Sequence, residues 1–223
     1  MSDRSGLKTT LKRLLFPLLP VQYRFTRTYK LGGWDKDTSD SASGSGSTLA
    51  ATEELRRALP ALLTQLNIRS MLDAPCGDLH WMKEVLAQLP ADFRYHGADI
   101  VAPLIASLKP QETPRVTFSV RDIIKDELPR AELILCRDCL IHLSTRDIRK
   151  ALANFRASGA KYLLTTTYPL IEEYKDIVTG RFRALNLEAA PFNFPEPLWR
   201  HKEYDRFGGK SLVLWPLDAI PDV

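Results

Sequence analysis

The residues best suited to chemistry lie in Ser70-Met71-Leu72-Asp73-Ala74-Pro75-Cys76-Gly77-Asp78-Leu79-His80-Trp81, where an apolar run meets an acid, a turn and the start of a helical pattern. A strand, turn and helix in that order open backbone N–H groups at the carboxyl end of the strand, where doubly wound α/β sheets bind small ligands. A dinucleotide loop needs three glycines to bring its backbone against a pyrophosphate. Only Gly77 is available here: Pro75 has no N–H, and Leu79 carries a side chain. Asp73 adds a negative charge, which suits an ammonium or sulfonium and repels a diphosphate. A nicotinamide oxidoreductase is disfavoured on these grounds, and no Tyr-x-x-x-Lys hydride site supports one.

A second acid falls at a telling distance. Asp99 ends the strand-like run Phe93–Ala98 and stands 22 residues after Gly77, near the roughly 20-residue spacing at which a strand-end acid accepts hydrogen bonds from ribose hydroxyls. Two acids at neighbouring strand tips frame a nucleoside.

The run Leu72-Asp73-x-x-Cys76-Gly77-Asp78 resembles motif I of the class I S-adenosylmethionine-dependent methyltransferases, with Pro75 and Leu79 where that family usually has glycines. With Trp81 added, it is similar to a bacterial subfamily bearing an L-D-x-P-C-G-D-x-x-W signature. The resemblance extends to Trp34 followed by Ser43-Gly44-Ser45-Gly46-Ser47, and to Asp176, Gly180, Arg183, Asn186-Leu187 and Pro191-Phe192-x-Phe194-Pro195. It implies S-adenosyl-L-methionine as cofactor and S-adenosyl-L-homocysteine as product. It also implies an adenine contact by Asp122 and Ile123 after the third strand, and a polar or catalytic residue just past the fourth. The expected cofactor-binding set is Trp34, Asp73, Ala74, Pro75, Cys76, Gly77, Asp99, Ile100, Asp122, Ile123 and Arg137.

Catalytic candidates follow from the transfer. Methylation at oxygen needs a proton removed near the transition state, and His142, Asp138 or Tyr168 could each reach an acceptor at the fourth and fifth strand tips. A nitrogen acceptor with a free lone pair needs no base. The trio Cys136-x-x-Cys139-x-x-His142, with Cys76 near, invites a zinc reading. Cys136 lies within an apolar run, however, and the second half of a zinc motif is missing, so no metal is expected.

The remaining chain must hold these tips in place. Apolar runs at Val116–Val120, Leu133–Cys136 and Lys161–Thr167 alternate with helical patterns, and Ser211–Trp215 closes the series. The fold expected is α/β and Rossmann-like: a mostly parallel seven-stranded sheet, helices on both faces and an antiparallel closing strand. Thr48 is read as the cap of a helix with Leu49, Leu55, Leu59, Leu62 and Leu63 inward and Pro60 as a kink. Ser144 and Asp147 open another. Residues 1–47 are read as a basic arm with a Ser/Gly-rich lid, and 48–223 as the methyltransferase domain. An acceptor-pocket insertion is placed at about 168–209, where an apolar outer wall is the competing reading.

The charge is uneven. Residues 1–30 carry seven Lys or Arg against Asp3, leaving −2 for the rest of a chain of net +4. A stable nucleic-acid complex is therefore not expected of the catalytic body, although an RNA-directed or non-catalytic protein of the same fold is an alternative that would use the arm. The arm is expected to pack on the domain or be partly disordered, with transient contact to an anionic membrane or a partner as the other reading. Three cysteines outside loop contexts fit a cytoplasmic protein. The partner expected is a small-molecule acceptor, such as a sugar or natural product, methylated at O or N.

Overall fold

The computed structural model describes residues 16–32, 40–203 and 209–222. Trp34 and most of the basic arm lie outside them. Seven strands form one sheet: β1 (Ser70–Asp73), β2 (Arg94–Asp99), β3 (Val116–Val120), β4 (Leu133–Cys136), β5 (Tyr162–Thr167), β6 (Trp199–Lys202) and β7 (Ser211–Pro216). Their order is β3-β2-β1-β4-β5-β7-β6. The first five are parallel, and β7 runs antiparallel to both β5 and β6. The chain thus reverses its winding direction beside β1, and a crevice opens at the carboxyl tips of β1 and β4.

The central strands are apolar on both faces because both faces are covered. Alternate residues go to opposite layers. Leu72, Ile134, Leu163 and Val213 pack with Phe155 and Ile148 of α5 (Thr145–Ala157). Met71, Leu133, Leu164 and Leu214 pack on the other face, against α2 (Glu53–Gln65) and α3 (Met82–Leu86). Ile105 and Leu108 of α4 (Ala102–Leu108) join that second layer. Ser144 caps α5 as expected, its hydroxyl accepting from Asp147 N at 3.3 Å.

The helix expected from Thr48 begins later. The Thr48 hydroxyl accepts from Ala51 N and caps a preceding turn, while α2 starts at Glu53. Pro60 sits inside α2 and cannot donate to Arg56 O, to which the side-chain amide of Gln88 turns instead, at 3.5 Å.

Two further arrangements frame the sheet. Val21–Lys30 forms a helix, α1. It is held down by Arg24, which is buried and donates to the carbonyls of Pro17, Leu19 and Thr179. The aromatic segment after Thr167 is largely core: Phe192, Phe194 and Tyr168 are buried, and Phe194 meets the Trp215 ring edge-on at 5.0 Å.

Candidate active site

The carboxyl tips of β1 to β4 line one cleft, with Asp73, Gly77, Asp99, Asp122 and Ile123 on its walls. The three acids are each less than a tenth exposed. The Tyr95 hydroxyl donates to Asp73 Oδ2 at 2.8 Å. Asp99 receives Val101 N on Oδ1 at 2.9 Å and Gly77 N on Oδ2 at 3.3 Å, so its carboxylate ties the motif turn to the β2 tip. Asp122 Oδ1 accepts from Ile124 N at 3.0 Å.

Burial dominates the titration of this trio, because a carboxylate loses hydration in the cleft wall. It raises Asp73 to about 7; the Tyr95 hydrogen bond opposes the rise, Asp99 adds to it and Arg137 opposes it. It raises Asp99 to about 6 against the N–H groups of Val101 and Gly77. It also raises Asp122. Concentrated negative charge of this kind suits a cation and hydroxyl donors.

Two glycines are needed for close approach. A Cβ on Gly77, which has φ +56°, would meet the Ser43 hydroxyl at 2.4 Å, and one on Gly97 would meet the Phe118 ring at 2.6 Å. Leu79 also has positive φ (62°). It holds a left-handed conformation at the turn with an ordinary side chain.

The Ser/Gly segment lies against the turn. Asp78 takes Ala42 N at 2.7 Å and the hydroxyls of Ser41 and Ser43, while Asp78 N donates back to Ser43 Oγ at 2.9 Å. The backbone here wraps a carboxylate of the chain itself. Ala42, Ser43 and Ser47 consequently form part of the cleft wall.

The β4 tip carries a buried charge network that the sequence did not reveal. Arg137 donates through Nε and Nη2 to Glu203 Oε1 (2.9 and 2.7 Å), gives Nη2 to Gly46 O and lies over the Trp81 ring. Lys210 donates to Asp138 Oδ2 at 2.6 Å. The Thr166 hydroxyl donates to Asp138 Oδ1 and accepts from Asp138 N. Burial alone would raise the Asp138 carboxyl, but Arg137 and Lys210 outweigh it and hold the group at about 2. Such a carboxylate is a poor proton acceptor. Glu203 and Lys210 flank the β6–β7 turn and have no sequence motif of their own.

His142 lines the cleft from the 3-10 turn Leu140–His142. Its Nδ1 is 2.9 Å from Arg181 O, and a carbonyl only accepts, so the proton sits on Nδ1 and the lone pair on Nε2. Burial lowers its pKa, against the Arg181 hydrogen bond and Asp138. The imidazole is neutral at pH 7. Tyr168, the third catalytic candidate, is 3% exposed in the core below β5 and does not line the cleft.

Val21, Phe25 and Tyr29 of α1 complete the lining of the same cleft. Their spacing of four residues after Pro20 was the signal that could have found this helix. Among the described residues, none between 168 and 209 lines the cleft. That segment instead braces His142 from behind through Arg181.

The comparisons bear on this cleft. Residues 72–160 match the methyltransferase-domain family model. The match spans β1 to the end of α5, hence all three acids. No curated protein sequence matches the chain. The fold is shared with magnesium protoporphyrin IX methyltransferase from Synechocystis, solved with bound SAM, at 12% identity and TM-score 0.60 over 88% of this chain and 96% of that one. It is shared too with 1,6-didemethyltoxoflavin-N1-methyltransferase from Burkholderia thailandensis, at 17% identity and TM-score 0.57 over 96% and 90%. A bacterial Hen1 methyltransferase domain aligns at 13% identity and TM-score 0.55 over 74% and 99%. The seven-stranded sheet is that of the class I methyltransferases.

Proposed function

We propose that the chain is an S-adenosyl-L-methionine-dependent methyltransferase acting on a small or medium-sized acceptor. The observation that carries this reading is the set of three buried acids, Asp73, Asp99 and Asp122, at the tips of three adjacent strands around one cleft. The cofactors named for the Synechocystis and Burkholderia proteins, SAM and S-adenosylhomocysteine, point the same way.

The cleft chemistry fits that cofactor. Asp99 keeps lone pairs beyond the two N–H groups it accepts, and these suit the two ribose hydroxyls. Asp122 suits the adenine amino group, with Ile123 and Val101 as apolar ring neighbours. Asp73 and the turn Ala74–Gly77 suit the aminoacyl end, where the carboxylate of Asp73 favours the ammonium. Bound there, S-adenosyl-L-methionine supplies an electrophilic methyl group on a sulfonium, transferred to the acceptor and leaving S-adenosyl-L-homocysteine.

The chain's own residues then hold and orient the acceptor. Val21, Phe25 and Tyr29 give an apolar wall that excludes water, and the same cleft presents His142. For a hydroxyl acceptor, His142 Nε2 takes the proton as the oxygen becomes nucleophilic. Asp138 stays ionised and fixes Lys210 and Thr166. Alignment between rigid walls supplies several kcal/mol of rate, on the order of what oriented intramolecular reactions gain.

Calorimetric titration with S-adenosylmethionine, S-adenosylhomocysteine and the nicotinamide nucleotides tests the reading. Heat from the first two and none from the third is expected. Silence from both adenosyl compounds would overturn it.

A further inference from the structure

Helix α1 has two faces with different duties. Val21, Phe25 and Tyr29 face the cleft, and Arg24 is consumed by carbonyls of the body. The opposite face carries Tyr23, Arg27, Lys30 and the following Leu31, all exposed to solvent. Leu18, in the turn just before the helix, is 78% exposed, Leu31 56% and Tyr23 52%. These three large apolar side chains are spread along the length of the helix that also exposes Arg27 and Lys30.

The charge on this stretch is of one sign. From Arg4 to Gly32 the sequence holds seven Lys or Arg and no Asp or Glu, and the residues before the turn interleave Lys8, Lys12 and Arg13 with leucines. Of the three that are described, Arg24 is buried and donates to carbonyls, while Arg27 and Lys30 are exposed. A cationic surface studded with leucine and tyrosine is complementary to an anionic bilayer, where basic groups meet lipid phosphates and apolar side chains enter the headgroup boundary. A nucleic acid would satisfy the charges and leave the leucines in water.

We propose that the outer face of α1, with the exposed Leu18 before it and Leu31 after it, seats the protein on an anionic membrane surface. The inner face of the same helix is a wall of the cleft, so the seat places the acceptor half of the cleft at the lipid boundary. An acceptor with an apolar body then reaches it from the membrane.

Sedimentation of the full chain with vesicles is the test, using phosphatidylcholine alone and phosphatidylcholine mixed with phosphatidylglycerol. Binding to the mixed vesicles only is expected. Arg27→Gln with Lys30→Gln should weaken it roughly thirtyfold, at about a factor of five for each cation removed. Leu18→Ser with Leu31→Ser should weaken it also, while affinity for S-adenosylmethionine stays unchanged in both variants and reports intact folding. Equal binding to both vesicle types, or none to either, would overturn the proposal. So would tight binding to an RNA oligonucleotide that the glutamines abolish and the serines leave intact.

Discussion

Ser43 and Asp78 hold each other in both directions: Asp78 N donates to Ser43 Oγ at 2.9 Å, and Ser43 Oγ lies 3.1 Å from Asp78 Oδ1. The pair joins a Ser/Gly segment to a motif turn 35 positions away. A loop of glycines and serines has high conformational entropy when loose. Here its order depends on one carboxylate.

Removing that carboxylate should free the segment. Asp78→Ala is expected to weaken S-adenosylmethionine binding about tenfold, since Ala42, Ser43 and Ser47 line the cleft and a charged acceptor of several hydrogen bonds is worth on the order of 1.5–3 kcal/mol. Proteolysis between residues 40 and 47 should accelerate. Unchanged affinity and unchanged cleavage would show that the latch does not shape the site.

Asp99 opposes stability and function. Its folded pKa is raised to about 6, and that of Asp73 to about 7, from an ordinary 3.8. Groups raised in this way retain protons in the folded chain that the unfolded chain has released. Their stabilisation is complete below pH 4 and is lost as the pH rises through 6 and 7. A cationic ligand has the reverse dependence, because it binds the ionised acids: Asp99 by itself should lower the affinity about tenfold between pH 7 and pH 5, and Asp73 should steepen the fall further. Asp99→Asn should reduce affinity roughly 100-fold through lost charged hydrogen bonds. At pH 8 its Tm should equal or exceed that of the parent chain. Calorimetry and thermal melts across pH read both effects.

His142 is separable from cofactor binding. With a hydroxyl acceptor, His142→Gln is expected to lower kcat by about 10²–10⁴ while the affinity for S-adenosylmethionine is unaltered. The parent pH–rate profile should lose activity on acidification at a pKa below 6.5, because burial lowers the group. A profile unchanged in the glutamine variant would remove His142 from the proton transfer. Asp138, held at about 2, should contribute no limb to that profile.

Arg137 and Glu203 form a pair with side chains 6% and 3% exposed. Removing the guanidinium leaves the buried Glu203 with Lys210 alone, at 3.4 Å, so Arg137→Met should destabilise by about 3 kcal/mol, the low end for a broken buried pair. The double variant with Glu203→Met should be less destabilised than Arg137→Met alone, as urea unfolding would show. Additive losses would mean that the two charges are not coupled.

The sheet and its order of elements were legible because burial on both faces writes continuous apolar runs such as Leu133–Cys136 into the chain. The acids at the tips were legible because strand ends and helix starts have local signatures, and because Asp73 and Asp99 keep a fixed separation across one strand–helix–strand unit. His142 was legible only as one of three candidates. Tertiary packing gives the three different surroundings: Tyr168 is buried in the core, and Asp138 is paired with Lys210.

Other parts were beyond local reading. The aromatic segment after Thr167 has the composition of a pocket, but its rings find an apolar partner in Trp215 of β7. The chain near Val21 has the charge of a solvated arm, yet Arg24 finds three carbonyls, one of them Thr179, 155 residues away. Sequence alone determined the fold, the acids at the strand tips and the shortage of glycines that a phosphate loop needs, since each depends on periodicity or on a spacing within one structural unit. Only the tertiary structure decided which element covers the cleft, which charges neutralise one another and which segment latches onto the motif turn. Those outcomes depend on contacts between distant residues, and a contact of that kind leaves no pattern in either partner's own neighbourhood.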